Sequence, residues 1–200
     1  VSNLKRAQLA FFDRHKVKPS GLIHPFSLGH WHLGQNGPLP MTEKSITLLN
    51  DPFKSAAIYL LHLIKQDELP FVVFETFRDG KTQEAYFAKG VTKARFGQSP
   101  HNFGLAFDLV LDTKKVNVRK REWRGKDYLD AWDTETPEAV EAWVALGDLC
   151  FDLQLEWGGH WLKTESTTVK MVNGDEVKLG WDCPHIQLKN WRKQVKLFAN

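Results

Sequence analysis

The sequence predicts an α+β fold in which a small central antiparallel sheet is flanked by helices. Strand-like and helical segments both occur, but they do not alternate regularly as they do in a doubly wound sheet. An Asn-Gly pair at 173–174 stands between two short β-rich runs and indicates a hairpin. The 200 residues, of which 42% are hydrophobic and 26% charged, suffice for one domain with a proper core.

Residues 1–50 are predicted to form an N-terminal helix and an irregular arm that packs on a core of residues 51–200. Apolar side chains near the start of the chain fall close to one helical stripe. The arm at 19–41 contains four prolines, four glycines and three histidines, which is typical of turns. His30 and His32 can share a face, but no carboxylate or cysteine stands nearby, so we favour packed or surface histidines over a second metal site.

The first part of the core is predicted to form a helix, a strand and a second helix. A proline opens the apolar helix Phe53–Gln66, and Asp51 is placed to cap it. The β-rich run Pro70–Arg78 predicts a buried strand whose end delivers Arg78 to a cleft. A shorter helix is expected at 81–89.

A basic run and a further helix follow the central strand of the chain. The segment 114–126 holds seven lysines and arginines. It is either a solvated loop or hairpin, or a surface that docks an anionic polymer through screened attraction. The segment Thr136–Asp152 begins with a threonine cap, a proline and acidic residues, which are helix-start signals.

An apolar run at 103–109 carries small residues and a carboxylate at alternate positions. With the two-residue period of a strand, its bulky side chains fall on one face, and Gly104, Ala106 and Asp108 fall on the other. The first face is predicted to be core, and the second an open floor. His101 has the opposite parity to Asp108, so the chain must bend between them for both to meet one ion, and Gly104 tolerates such a bend.

His101 and Asp108 are candidate metal ligands. An imidazole and a carboxylate are two of the ligand types of a catalytic zinc site, which has a third protein ligand and one open position. The third ligand is expected elsewhere in the chain. Near the C-terminus, His185 is the candidate, and Asp182 stands three residues before it.

Three motifs stand in order along the core, and the helical H-E-x-x-H signature of other metalloproteases is absent. They are Ser99-x-His101-x-x-Gly104-x-Ala106-x-Asp108, Trp157-Gly-Gly and Asp182-x-Pro-His185. Together they resemble the zinc peptidases of bacterial cell walls, which include D-alanyl-D-alanine carboxypeptidases, L-alanyl-D-glutamate endopeptidases and several phage endolysins, and which share their fold with Hedgehog-type domains. The resemblance covers about residues 71–188.

The resemblance implies one zinc ion held by His101, Asp108 and His185. Asp182 has the place of the general base in the endopeptidase branch of the family. In that role it would take the proton of the attacking water and pass it to the leaving amine. Glu156 is the other candidate base, but it stands far from a ligand in the sequence, so we favour Asp182.

Three further residues are expected to contact the substrate. In the resembled family an arginine at the end of the first strand faces the site, so Arg78 would hold a substrate carboxylate or the developing oxyanion. Ser99 is predicted to be a hydrogen-bond partner rather than a nucleophile. His160 stands where the endopeptidases more often carry aspartate, and we include it as a substrate-binding candidate.

The predicted function is zinc-dependent hydrolysis of a peptide bond in the peptidoglycan stem peptide, between L-Ala and D-Glu. A floor of Gly104 and Ala106 would leave room for a backbone to lie across the metal. The alternative is a D-Ala-D-Ala carboxypeptidase, with the arm at 19–41 closing one end of the groove. A non-catalytic zinc-containing wall-binding domain is the third hypothesis, and an intact Asp182 speaks against it.

The expected partners are peptidoglycan stem peptides and, through the basic run, an anionic wall polymer. A net charge of +3 and a pI of about 8.8 favour anionic partners weakly. We expect a monomer with no nucleic-acid partner and no membrane span. The protein would act on the cell wall, in the periplasm or outside the cell, and both a removed signal and phage-type release fit this start of the chain. Cys150 and Cys183 are predicted to be free thiols.

Overall fold

The computed structural model describes residues 44–123, 125–163, 166 and 168–198. The helix predicted near the start of the chain, the arm at 19–41 and the pair His30 and His32 lie outside the described residues. The boundary at residue 50 stays a prediction. Residues 44–50 do contact the core, because Leu49 is buried and the backbone N–H of Asn50 donates to the Gly104 carbonyl at 2.9 Å.

The described core is built on a four-stranded antiparallel sheet, which confirms the α+β prediction. In chain order the strands are β1 (Phe71–Glu75), β2 (Ala106–Leu111), β3 (Lys120–Trp123), β4 (Lys126–Leu129), β5 (Leu155–Trp157), β6 (Thr168–Lys170), β7 (Glu176–Lys178) and β8 (His185–Leu188). The main sheet has the order β1-β2-β8-β5, and all its neighbouring strands are antiparallel. The pairs β3–β4 and β6–β7 form separate hairpins. The turn at 173–174 therefore joins β6 and β7 as predicted.

Helices and tight turns connect these strands. The helices are α1 (Phe53–Gln66), α2 (Gly80–Ala88), α3 (Pro137–Asp152) and α4 (Trp191–Phe198), and the 3₁₀ turns are Ile46–Leu48, Pro100–Phe103 and Gly158–His160. Helix α4 was not predicted. None of the described helices is both long and apolar enough to cross a membrane.

Helices α1 and α3 cover one face of the main sheet. Phe53 of α1 packs on Phe107 of β2 with ring centroids 5.8 Å apart, and Phe71 of β1 packs on Trp143 of α3 at 4.8 Å. All four side chains are nearly or fully buried. Because successive strand residues point to opposite faces, Asp108 lies on the other face of the sheet. The fold thus keeps the candidate metal ligand away from the apolar core.

Two local predictions are wrong. Asp51 does not cap α1, because Pro52 holds the cap position and the Asp51 carboxylate accepts the Ser55 hydroxyl at 2.9 Å instead of a backbone N–H. The central strand does not begin at Phe103, because 100–103 is a 3₁₀ turn and β2 starts at Ala106. The bend itself was predicted correctly, since Gly104 has φ +61°.

The last part of the basic run lies in the hairpin of β3 and β4, and residues 114–119 before it form turns and a loop. Arg119 is paired with Asp130 at 2.9 Å and with Glu135, and Arg121 is paired with Asp130 at 2.6 Å. The lysines of the run are exposed. Part of the predicted positive charge is therefore neutralised within the fold.

Candidate metal centre

Three side chains from distant parts of the chain converge on the face opposite the helices. His101 Nε2 lies 3.2 Å from His185 Nδ1, and Asp108 Oδ1 lies 3.3 Å and 3.1 Å from these two atoms. Asp108 and His185 are directly opposite residues of β2 and β8, so their side chains point to the same side. His101 reaches them from the 3₁₀ turn. Among the described residues, these are the three that can hold a metal ion together.

The spacing of the three atoms fits a tetrahedral zinc ion. Ligands at about 2.0–2.1 Å from a tetrahedral centre are separated by about 3.3–3.4 Å from one another. The observed separations of 3.1, 3.2 and 3.3 Å are close to that value. Two imidazoles and a carboxylate also match the donor set of a catalytic zinc site, which leaves one position open.

The ring of His101 is oriented by the backbone. Its Nδ1 lies 2.6 Å from the Thr76 carbonyl oxygen, which accepts a hydrogen bond and does not donate one. Nδ1 therefore carries the proton, and the lone pair of Nε2 faces Asp108 and His185. This tautomer is the one a metal ligand needs.

The ring of His185 is oriented by side chains. Its Nε2 lies 3.0 Å from Gln187 Oε1, and Gln187 Nε2 donates to Glu156 Oε2 at 2.9 Å. The other oxygen of Glu156 accepts the indole N–H of Trp161 at 3.1 Å. A proton on His185 Nε2 leaves the Nδ1 lone pair for the metal.

A dense hydrogen-bond cluster holds the turn that carries His101. The side-chain oxygen Oδ1 of Asn102 accepts the N–H groups of Gly97 and Ser99 at 3.0 Å and 3.4 Å. Its amide nitrogen donates to the Arg78 carbonyl at 2.9 Å and to Gln83 Oε1 at 3.1 Å. The described contacts of this buried side chain thus tie the turn to the segment after β1.

The predicted open floor of Gly104 and Ala106 is wrong. Ala106 is fully buried. A Cβ on Gly104 would lie 2.8 Å from the Leu48 carbonyl oxygen, so this glycine serves a close backbone contact with residues 44–50 rather than a substrate groove. Gly104 and Ala106 therefore do not form a groove in which the backbone of an endopeptidase substrate could lie.

The charges of the centre act on one another strongly. Burial alone would raise the pKa of Asp108, but the charges and hydrogen bonds of His101 and His185 outweigh it and hold this pKa far below its ordinary value. Burial alone would lower the pKa of His185, but the hydrogen bond and charge of Asp108 raise it. Asp108 is therefore ionised over the whole working range, as a metal ligand must be.

Asp182 stands beside the three candidate ligands on the turn before β8. Its carbonyl oxygen accepts the His185 N–H at 3.0 Å, and the following Cys183 carbonyl accepts the indole N–H of Trp157 at 2.6 Å. The backbone of this turn packs so closely on Gly158 that a Cβ there would lie 2.2 Å from the Asp182 carbonyl oxygen. Burial raises the pKa of the Asp182 carboxyl, and the His185 charge opposes this in part. A carboxylate with a raised pKa suits proton transfer.

Arg78 lies at the edge of the centre, held by its own neighbours. Its Nε donates to Glu75 Oε2 at 3.1 Å, its Nη2 pairs with the same oxygen, and its Nη1 donates to Gln83 Oε1 at 3.3 Å. The guanidinium also stacks on Tyr86, 4.9 Å from the ring centroid. Burial alone would lower the pKa of Arg78, but Glu75 and the charge of Asp108 raise it, so it stays cationic.

The other two predicted substrate-binding residues differ in accessibility. Ser99 is buried at the start of the 3₁₀ turn, two residues before His101. His160 is exposed, and its ring meets Trp157 edge-on with centroids 5.0 Å apart. Cys150 and Cys183 are buried free thiols, as predicted.

An aromatic wall extends from the candidate ligands to the surface. The ring of Trp161 lies 5.3 Å from that of His185 and 5.7 Å from that of Trp181. Trp181 is 57% exposed, and the Lys163 ammonium stands 4.4 Å above its ring.

The supporting roles of three residues, Gln187, Glu156 and Asn102, were not predicted from the sequence. Gln187 follows His185 by two positions on a strand, so the two side chains share a face, and that signal was available. Its partner Glu156 was considered only as a base, and the cross-strand register that pairs it with Gln187 cannot be read from the sequence. The role of Asn102 depends on contacts with residues about twenty positions away, for which no local pattern exists.

Comparison with known proteins gives matches of two kinds. A family model described as D-alanyl-D-alanine carboxypeptidase matches residues 92–166. The chain is 29% identical over 145 residues to the peptidoglycan L-alanyl-D-glutamate endopeptidase CwlK of Bacillus subtilis, a match that covers 66% of this chain and 75% of CwlK.

Two solved structures are also similar. The L-Ala D-Glu endopeptidase ChiX of Serratia marcescens aligns with a TM-score of 0.43 and 18% identity, over 74% of this chain and 86% of that chain. The vancomycin resistance D,D-pentapeptidase VanY, in a mutant form with Zn(II), aligns with a TM-score of 0.42 and 16% identity, over 76% of this chain and 79% of that chain.

Proposed function

We infer that this chain, a relative of the D-alanyl-D-alanine carboxypeptidase and L-alanyl-D-glutamate endopeptidase family of zinc peptidases, hydrolyses a peptide bond in the stem peptide of peptidoglycan. The observation that carries this proposal is the triangle of His101, Asp108 and His185, with the partly buried Asp182 next to it. A metal site with an adjacent carboxylate is what hydrolysis by a metallopeptidase requires.

His101, Asp108 and His185 would hold one zinc ion. Both imidazoles present an unprotonated nitrogen, and Asp108 supplies a negative charge. A bound zinc ion lowers the pKa of a coordinated water towards ~7 and polarises the scissile carbonyl. The donor set and the spacing support zinc over Mg²⁺ or Ca²⁺, which prefer six or more oxygen ligands.

Asp182 acts as the general base. It accepts a proton from the attacking water and returns it to the leaving amine, a contribution of about 10²–10⁴-fold. Its raised pKa brings it closer to the working pH, where a carboxylate transfers protons best. Glu156 is unsuited to this role, because its two oxygens accept the Gln187 amide and the Trp161 indole N–H.

Arg78 holds a carboxylate of the substrate or the developing oxyanion. Three of its five N–H groups are used in the contacts with Glu75 and Gln83. The remaining donors suit a bidentate or single contact with a substrate oxygen. Ser99, two residues before His101, and the exposed His160 are the further substrate-binding candidates.

The proposed scissile bond lies between L-Ala and D-Glu. The named activity of CwlK and the Asp182-x-Pro-His185 motif, which resembles the endopeptidase branch, support this choice. Release of the terminal D-Ala is the second candidate, and the description of the matching family model favours it. Either activity places the enzyme at the cell wall, where the exposed lysines of the basic hairpin would meet anionic wall polymers.

Digestion of purified peptidoglycan tests the assignment. Mass spectrometry of the soluble products should show stem peptides that have lost L-Ala and carry a new D-Glu N-terminus. Release of D-Ala with intact L-Ala–D-Glu bonds would support the carboxypeptidase instead. The Asp182→Asn variant, purified and tested in parallel, controls for contaminating hydrolases.

A further inference from the structure

We propose that Glu156 is a positioning residue of the metal centre, which acts through Gln187 to hold His185 in the tautomer that can bind a metal. The proposal rests on the role of His185 as a ligand in the function proposed above. It does not depend on which peptide bond is cut. Nothing in the motifs that resemble the peptidase family assigns such a role to Glu156 or Gln187.

A continuous chain of hydrogen bonds links the two residues to the ligand. His185 Nε2 lies 3.0 Å from Gln187 Oε1, and Gln187 Nε2 lies 2.9 Å from Glu156 Oε2. Gln187 is 7% exposed, and His185 is 8% exposed. Glu156 and Gln187 are directly opposite residues of β5 and β8, so the sheet register itself brings them together.

The direction of these hydrogen bonds is set by Glu156, at the end of the chain of contacts. An ionised carboxylate only accepts hydrogen bonds, so Gln187 must turn its NH₂ group towards Glu156. The carbonyl oxygen of the amide then faces His185. That oxygen accepts a proton only from Nε2–H, which leaves the Nδ1 lone pair free for the metal.

A rival arrangement explains why this support is needed. If the Gln187 amide were reversed, its NH₂ group would donate to Nε2, and the proton would move to Nδ1. Asp108 Oδ1, 3.1 Å from Nδ1, would accept that proton. The side chains of Gln187, His185 and Asp108 would each have a hydrogen-bond partner, but His185 would have no lone pair directed at the ion. Glu156 excludes this metal-incompetent state.

The position of Glu156 is itself fixed. Its second oxygen accepts the Trp161 indole N–H at 3.1 Å, so the carboxylate cannot turn away from Gln187 without losing this bond. Trp161 also packs against the His185 ring, with centroids 5.3 Å apart. The Trp161 indole thus limits the movement of both Glu156 and His185, the two ends of the hydrogen-bond chain.

The decisive variant is Glu156→Gln, which keeps the size of the side chain and removes its acceptor-only character. We expect the zinc affinity, measured by competition with a chromophoric chelator, to fall about 10- to 100-fold, as for other supporting residues of metal ligands. The ring-nitrogen chemical shifts of His185 in the zinc-free protein, recorded where both imidazoles are neutral, should change from Nε2–H towards Nδ1–H. His101, which is held by a backbone carbonyl, should keep its tautomer.

A double variant tests the polarity directly. Glu156→Gln combined with Gln187→Glu exchanges the amide and the carboxylate. The amide at position 156 can then accept from Trp161 and donate to the carboxylate at 187, which accepts from His185 Nε2–H. We expect the exchange to restore the His185 tautomer and most of the zinc affinity.

Glu84→Gln is the matched control, because Glu84 also accepts two hydrogen bonds, from Phe96 N at 2.9 Å and Arg95 at 3.1 Å, away from the centre. Glu84→Gln should change neither the zinc affinity nor the His185 tautomer. Unchanged zinc affinity and an unchanged His185 tautomer in Glu156→Gln would overturn the proposal. A double variant that folds and remains as defective as the single variant would also overturn it. Neither measurement uses peptidoglycan, so a wrong scissile bond would not affect the outcome.

Discussion

The two histidines of the metal centre are supported in different ways. His101 donates to the backbone carbonyl of Thr76 at 2.6 Å, whereas His185 faces the side-chain amide of Gln187 at 3.0 Å. A carbonyl has one polarity, but an amide can present either its oxygen or its nitrogen. The first support therefore survives most changes of sequence, and the second depends on Glu156. One centre thus combines a ligand fixed by the fold with a ligand fixed by side chains.

The segments that carry these ligands differ as well. The turn of His101 is tied to the chain after β1 by the side chain of Asn102, whose amide nitrogen donates to the Arg78 carbonyl and to Gln83 Oε1. The turn before His185 is held through its backbone, by hydrogen bonds from the Trp157 indole and from the Leu109 N–H at 3.0 Å and by a close contact with Gly158. We call these the His101 half and the His185 half. Each of the following substitutions breaks one half, or neither.

Removal of a ligand should have the largest effect, and the loss of zinc should be the same in both halves. His101→Ala and His185→Ala each delete one of three donors, so both proteins should lose most of their zinc. Elemental analysis after dialysis should find about one zinc per wild-type chain and little in either variant. His160→Ala is the control, since this exposed histidine lies outside the ligand triangle. Stoichiometric zinc in the His185→Ala protein would contradict the ligand assignment.

Asp182→Asn should separate chemistry from metal binding within the His185 half. The variant should keep zinc and lose about 10²–10⁴-fold in kcat, because a general base lowers the barrier and does not coordinate the ion. Steady-state hydrolysis of a stem-peptide substrate measures this loss. Asp175→Asn, an exposed aspartate of the β6–β7 hairpin, should keep full activity. Full activity in Asp182→Asn would assign the base elsewhere.

Alanine substitutions at two glycines test the close backbone contacts of the two halves. A Cβ at Gly104 meets the Leu48 carbonyl at 2.8 Å, and one at Gly158 meets the Asp182 carbonyl at 2.2 Å. We expect Gly104→Ala and Gly158→Ala each to lower the free energy of unfolding by about 1–3 kcal/mol, as measured by urea denaturation. Gly158→Ala should also reduce kcat in the folded protein, since it displaces the base.

Gly90→Ala provides the control for these two variants. Gly90 has φ +71°, but a Cβ there would meet nothing within 4 Å. The free energy of unfolding of Gly90→Ala should fall only by the cost of the left-handed conformation, about 1 kcal/mol. An equal loss of stability in all three variants would mean that the close contacts contribute nothing.

The smallest effect should come from a carboxylate outside both halves. Burial, together with the charge of Asp152, raises the pKa of Asp148 on α3 to about 6. The folded protein therefore holds this proton more tightly than the unfolded chain does. The resulting stability is fully present below about pH 4 and is lost as the pH rises through about 6.

Asp148→Asn should remove this pH dependence. We expect the variant to be more stable than the wild type by about 1–2 kcal/mol above pH 7 and equal to it below pH 4. Urea denaturation at the two pH values measures the difference, and zinc affinity should not change. An equal gain at both pH values would show that the effect is not one of protonation.

The sequence predicted those features of the fold that depend on local pattern. The alternation around Asp108, the Asn173-Gly174 turn and the helix start at Thr136 each follow from a few neighbouring residues, and all three occur. The convergence of His101, Asp108 and His185 could be predicted because the motifs around His101 and His185 stand in a recognisable order. Nothing in their spacing alone specifies that β2 and β8 pair directly.

The errors arose where contacts between distant segments overrode local preference. Asp51 has the position of a helix cap, but the side chain of Ser55 offers it another partner. Gly104 and Ala106 alternate with bulky residues as an open face would, but the segment at 44–50 covers the backbone there. The chain Glu156–Gln187–His185 depends on strand register, which a single sequence does not reveal.

The long separation of the ligands along the chain has a consequence for folding. His101 and His185 are 84 residues apart, and Asp108 and His185 are 77 apart. The centre is complete only after β8 has paired with β2, which requires closure of a long loop. Contacts of this kind form late and slow the search for the native state. A metal ion bound by these residues would therefore stabilise the finished fold and slow its unfolding, and it would not start the assembly of the fold.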